Sequence, residues 1–165
     1  MSRALLVVAA LSACSDDPID LTGAYEVQSH VGSSPCGNDT PVMNGGKFLV
    51  FHKETFIAEY FVYDECMDAE GTMCSSTGGL LSGLFEPIDN GWKGVASTSS
   101  GSGGRCILGY LETTAKLNGS RLVVESNRYS DDTDRPDAEC TTEKAEELGD
   151  DMPCEEHEHI EAEKR

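Results

Sequence analysis

The chain has 165 residues, of which 30 are acidic against 12 lysines and arginines, giving a formal net charge of −18. Phosphate would be repelled and no basic stripe exists, so nucleic acid is excluded as a partner. Seven cysteines in a chain of one-domain length point to an exported fold rather than a reducing compartment.

The first predicted element is an address. The apolar run from Ala4 to Ala13 follows a single positive residue, Arg3, and ends at the polar break Ser15-Asp16-Asp17. It is too short for a bilayer span, which needs about 20 apolar residues. A positive start, a short apolar stretch and small residues before a polar break are the layout of a secretory signal peptide. Its end, Leu11-Ser12-Ala13-Cys14, resembles the bacterial lipobox. The resemblance implies cleavage before Cys14 and a diacylglyceryl group on its sulfur, with more than one acyl chain for a stable hold on the membrane. Residues 1–13 are then a signal peptide, 14–20 a lipidated tether and 21–165 a single β domain. Ser15 implies the outer-membrane destination, so the expected place is the cell envelope, with the domain facing the periplasm or the outside.

From residue 21 onward, strand patterns alternate with turn clusters. The predicted strands are "GAYEVQSHV" (23–31), "KFLVFHK" (47–53), "TFIAEYFVYDE" (55–65), "LLSGLFEPI" (80–88), "GWKGVAST" (91–98), "RCILGYLETTAKL" (105–117) and "RLVVESNRY" (121–129). Asn118-Gly119 predicts a two-residue type I′ hairpin turn and Asp89-Asn90-Gly91 a second tight turn. Residues 97–104 read as a hairpin tip and 32–46 as a long loop held by Cys36. "CTTEKAEELG" (140–149) places Ala145 and Leu148 on one helical face with Gly149 at the C-terminus, which predicts one short late helix. The acidic C-terminal segment 150–165 reads either as a last strand or as a disordered tail. The fold class is therefore all-β: an antiparallel meander forming a barrel or a sandwich to hide its edges, with one short late helix.

"DLTGAYEV" (20–27) resembles the first-strand motif of lipocalins and other calycins, with Tyr25 where that family carries Trp. The resemblance implies a cup-shaped barrel with an internal apolar pocket. A flatter sandwich satisfies the same alternation.

With Cys14 assigned to lipid, Cys36, Cys66, Cys74, Cys106, Cys140 and Cys154 remain, an even set that predicts three disulfides. Six thiols admit fifteen connectivities. The expected one pairs Cys66 with Cys74 across one loop, Cys140 with Cys154 around the short helix, and Cys36 with Cys106 by elimination.

No Cys-x-x-Cys pair, nucleophile elbow, His-Glu-x-x-His helix or phosphate-binding glycine loop is present, and the chain is expected not to be an enzyme. Asp131-Asp132-x-Asp134 lacks the glycine and terminal Glu of a calcium loop. His30 and His52 read as core or rim residues. Both faces of the 47–53 and 55–65 strands carry apolar groups, which allows a pocket lined by Phe48, Val50, Phe56, Tyr60 and Trp92 for a small apolar ligand. If the C-terminal segment is a strand, His157, His159 and Glu161 share one face, a spacing that lets two imidazoles reach one zinc ion. No other cofactor is implied. The functional expectation is a lipid-anchored binding or structural module, the alternative a metal-binding surface protein using that His/Glu-rich segment.

Overall fold

A computed structural model describes residues 19–55, 59–75 and 84–165. Cys14 and Phe56 lie outside these residues, as does the predicted strand from 80 to 83. The strands are β1 (Gly23–Ser33), β2 (Thr40–Pro41), β3 (Phe48–Thr55), β4 (Glu59–Cys66), β5 (Cys74–Ser75), β6 (Leu84–Ile88), β7 (Gly91–Ser102), β8 (Arg105–Asn118), β9 (Arg121–Asp134) and β10 (Cys154–Lys164). One helix, α1 (Thr142–Leu148), precedes β10. Among the described residues no helix is long and apolar enough to cross a membrane.

All ten strands belong to one antiparallel sheet in the order β5-β4-β3-β1-β10-β9-β8-β7-β6, with β2 added to the end of β1. Long strands that follow one another in the chain are hydrogen-bonded neighbours apart from β4 and β6, and β10 also returns to pair with β1. The described pairing is open between β4 and β6. The sheet nevertheless curls until Phe61 of β4 and Trp92 of β7 meet with ring centroids 4.8 Å apart. The fold is thus the expected antiparallel meander, rolled, with no closing ladder among the described residues.

Alternation explains the core. Leu49 and Phe51, Phe61 and Tyr63, Ala115, Leu122 and Val124, and Ile160 and Ala162 sit two apart on their strands and face inward, where they are buried with Leu21, Tyr25 and Phe85. Tyr25 fills the position the calycin motif gives to Trp. It is fully buried, donates to the Leu21 carbonyl at 2.9 Å and meets Phe51 edge-on at 5.7 Å. Order begins before residue 21: Ile19 packs on this core, and its carbonyl accepts from Trp92 Nε1 at 2.6 Å.

A second, smaller core lies on the outer face of β8, where Cys106 and Leu108 pack against Ala145, Leu148 and Met152. The helix starts at Thr141, whose hydroxyl accepts from the Lys144 N–H at 3.2 Å, and ends at Gly149.

The structure corrects two expectations. The β8–β9 loop is Gly119-Ser120, because Asn118 still pairs with Arg121. Gly119 alone takes a positive φ, 65°, the sign pattern of a type II′ rather than a type I′ turn. Disulfide pairing also differs. Cys66–Cys74 joins β4 to β5 as expected, but Cys36 bonds Cys154 and Cys106 bonds Cys140, not Cys36–Cys106 and Cys140–Cys154. The reason is register. β1 pairs with β10 through Gly32↔Glu158 and Ser33↔His157, and three further steps bring Cys36 opposite Cys154, Cα atoms 5.6 Å apart. Cys106 lies under the helix, so Cys140 at the helix entrance is its partner, Cα atoms 5.7 Å apart.

Of the two readings of the acidic C-terminal segment, the strand is the one the fold adopts. β10 runs between β1 and β9 in the middle of the sheet.

Candidate functional site

The inward face of the sheet changes character along its length. At the end built by Tyr25, Phe51 and Leu122 it is apolar and filled; at the other end it is polar and hollow. A cleft of about 230 Å³ is lined there by Tyr63 and Glu65 of β4, Leu111 and Thr113 of β8, Ser126 and Arg128 of β9, and Glu156 and Glu158 of β10. A second hollow of about 340 Å³ continues from it, sharing Leu111 and Arg128 and adding Ala96, Thr98 and Gly109. A hollow of about 430 Å³ on the outside of β7 has Lys93 in its wall, and that lysine is already paired with Glu112 at 2.7 Å.

His30 reaches the inward face through a backbone irregularity. On β1 the register steps from Val27↔Ala162 to Ser29↔Glu161, leaving Gln28 as an extra residue. This bulge reverses which residues face inward, so Tyr25 and Val27 point in before it and His30 after it. The His30 side chain is only 7% exposed, and its Nε2 has no hydrogen-bond partner. The nearest carboxylate oxygen, Glu158 Oε1, is 3.8 Å away, an ion contact too long for a hydrogen bond. Gly45 lies over the ring: a Cβ there would come within 2.4 Å of His30 Nδ1, so only glycine fits without displacing it.

The cleft is acidic. Glu65 accepts from the Gly46 N–H at 2.8 Å, Glu156 pairs with Arg128 at 3.4 Å, and Thr113 and Ser126 share a hydroxyl hydrogen bond at 3.1 Å. The His30 imidazole beside Glu158 holds that carboxyl below the usual range, against the opposing effect of burial. Reciprocally, Glu158 first and the charge of Glu65 further off hold the His30 pKa above its ordinary value, although burial pulls it down. Burial, and then the charges of Glu65 and Glu158, push the Tyr63 phenol far up, so it stays neutral and able to donate. The cleft thus offers carboxylate acceptors, hydroxyls and one guanidinium beside Leu111, with the His30 imidazole buried next to Glu158.

None of the described residues singled out for a pocket lines this cleft. Phe48, Val50 and Tyr60 alternate with the inward residues of β3 and β4 and point to the opposite face. The loop between β4 and β5 lies over Val50 there, and the Arg165 guanidinium sits 5.8 Å from the Phe48 ring centroid. Trp92 does face inward, but it is packed against Phe61 within the filled end. Both β3 and β4 carry apolar groups on both faces, so alternation could not say which face was interior.

His157, His159 and Glu161 share one face of β10, as the spacing predicts, but they do not converge. His157 turns to Asp39 at 3.0 Å and Glu125 at 3.5 Å, whereas Glu161 accepts from Arg121 at 2.7 Å with His159 3.5 Å away. Among the described residues no group of three or more His, Cys, Asp or Glu side chains is gathered to hold a metal ion. His52 stays on the outer rim beside Glu54, at 3.3 Å.

The charged residues of the cleft, Glu65, Arg128, Glu156 and Glu158, and His30 beside Glu158, were not singled out as a site in the sequence. One signal was available: Glu158, Ile160 and Ala162 alternate, so Glu158 shares its face with two core residues.

Fold and cleft together define a disulfide-bonded antiparallel β domain with a polar, acid-lined interior at its open end. Comparison of the chain with protein-family models, with curated proteins and with solved structures finds no match.

Proposed function

We propose that this chain is an extracytoplasmic lipoprotein, anchored through Cys14, whose β domain binds a small molecule in the open end of its rolled sheet and does not turn it over. The observation that carries the binding role is the change in the interior from packed aromatics to a cleft of about 230 Å³ lined by Glu65, Glu156, Glu158, Arg128 and the hydroxyls of Thr113 and Ser126. An interior evolved for stability alone would be filled with side chains, since protein cores are close-packed with few voids larger than a water molecule. The anchor rests on the lipobox and on cysteine use: the other six cysteines form three disulfides, which suit an oxidising compartment and leave Cys14 over. The calycin-like Tyr25, the return of β10 to β1 and the meeting of Phe61 with Trp92 favour a cup over a sandwich.

Two measurements test this. Mass spectrometry of the N-terminal peptide from membranes is expected to find acylated Cys14; an unmodified peptide beginning at Met1 removes the anchor. Native mass spectrometry against a library of small polar and apolar compounds is expected to find a bound species that Leu111→Trp, which fills the cleft, abolishes. A library without a single binder defeats the binding role.

A further inference from the structure

We propose that the domain stands on the membrane by its filled end, with Lys53, Lys116, Arg121, Lys164 and Arg165 laid against an anionic phospholipid surface and the cleft turned away from it. The inference rests on the anchor at Cys14 proposed above and adds the orientation that such an anchor imposes.

Tether length is the first argument. Ile19 packs on the apolar core and its carbonyl accepts from Trp92 Nε1, so the described chain enters the fold at the filled end. Only five residue steps separate Ile19 from Cys14. Even fully extended, five steps reach no more than about 18 Å. β1 starts at the filled end with Gly23 and takes 11 residues to reach Ser33 toward the other. That is about 33 Å along the strand, or about 25 Å of height at the tilt of about 40° usual in a rolled sheet. The tether is shorter than the domain is tall, so the open end cannot turn down onto a bilayer that holds Cys14.

The strand ends supply the second argument. Where β1 starts, β3 finishes, β7 starts, β8 turns into β9 and β10 finishes. Lys53 lies near the end of β3, Lys116 near the end of β8, Arg121 at the start of β9, and Lys164 and Arg165 at the end of β10; all five are exposed. Lys53 is 3.9 Å from Asp20, Arg121 reaches Glu161 at 2.7 Å and Arg165 reaches Glu26 at 2.8 Å. Lys116 and Lys164 pair with no carboxylate among the described residues.

Charge is the third. At these strand ends the acidic residues Asp20, Glu54, Glu59, Asp89 and Glu163 match the five cations in number, so this end is neutral and the net charge of −18 lies elsewhere on the chain. The opposite end presents Glu65, Glu156 and Glu158 in the cleft and Asp68 and Glu70 in the loop after β4. One flank carries α1 with Glu143, Glu146 and Glu147. An anionic surface repels that end and that flank, and it attracts Lys and Arg that come within a Debye length, about 8 Å. The tether selects the end nearest the bilayer, and the charge pattern seats the domain upright on it. The cleft then takes its ligand from the aqueous side and not from the lipid.

Lysine footprinting of the full, lipidated chain decides it. The protein is carried on phosphatidylcholine vesicles containing about one-third phosphatidylglycerol, whose headgroups supply the negative surface. A water-soluble acetylating ester modifies the exposed amines, and mass spectrometry reads the rate at each lysine. The reference is the chain with Cys14→Ser, exported behind an ordinary leader and mixed with the same vesicles. On the anchored chain Lys53, Lys116 and Lys164 are expected to react at least threefold more slowly than in the reference, while Lys47 ahead of β3 and Lys144 in α1 keep the reference rate. Pure phosphatidylcholine, or about half-molar salt, is expected to reduce that protection. Lys116→Glu combined with Lys164→Glu is expected to lift it at Lys53, with circular dichroism verifying the fold. Equal rates at all five lysines overturn the orientation, as does stronger protection at Lys47 and Lys144. Protection that ignores both salt and lipid charge overturns the headgroup contact. In each of these cases the chain still floats with the vesicles and the anchor stands; a chain that does not float removes the anchor, and the orientation falls with it.

Discussion

His30 stands 3.8 Å from Glu158 inside the sheet because one extra residue, Gln28, interrupts the pairing of β1 with β10. Without the bulge His30 would point outward, and Glu158 would lie inside a half-apolar face with no imidazole beside it. A local backbone irregularity thus decides the charge pattern of the cleft.

Stability is expected to depend on pH through this pair and through His157. Both histidines are held above the ordinary value of 6.5, His30 chiefly by Glu158 and His157 chiefly by Asp39. Each contributes fully below that unfolded value and loses its contribution as pH rises through its folded one. Glu158, held below 4.5, contributes above that pH and loses it on acidification. Without ligand, the thermal midpoint is expected to be highest between about 4.5 and 6.5. It should fall toward pH 9, less steeply in His30→Gln. A flat wild-type profile from pH 6 to 9 contradicts the pairing.

The two faces of β3 give a second test. Phe51 is 1% exposed and stacks on Tyr63 at 5.1 Å, so Phe51→Ala is expected to cost about 3–5 kcal/mol in urea unfolding. Phe48 lies half-buried on the opposite face with a guanidinium over its ring, and Phe48→Ala is expected to cost about 1 kcal/mol. The reverse order would mean that the interior face is misassigned.

Peptide mapping without reduction is expected to recover Cys36 linked to Cys154 and Cys106 linked to Cys140. Paired replacement by serine should cost about 2–5 kcal/mol for either bridge. A Cys36–Cys106 peptide would place the helix and the β1–β10 seam wrongly.

Trp92 ties down the start of the domain through its 2.6 Å bond to the Ile19 carbonyl. Trp92→Phe keeps an aromatic ring against Phe61 but removes that donor, at an expected cost of about 1 kcal/mol. Limited proteolysis should then cut ahead of Gly23 faster than in the wild type; unchanged cleavage rates would show that the bond does not hold the segment.

Several features were legible one residue at a time. Period-two alternation marked the strands, Ala145, Leu148 and Gly149 marked the helix, and the spacing of Cys66 and Cys74 marked their bridge, because each depends on groups close together in the chain. The face of β3 that became interior was hidden, since Phe48 and Phe51 are equally apolar and a period of two names two faces without choosing between them. So was the pairing of β10 with β1, which brings together residues more than a hundred positions apart and sets both the Cys36–Cys154 bridge and the meeting of His30 with Glu158. Register over such distances is a property of the whole sheet: it is chosen by which arrangement buries the most apolar surface at once, and no short window of the chain contains that comparison.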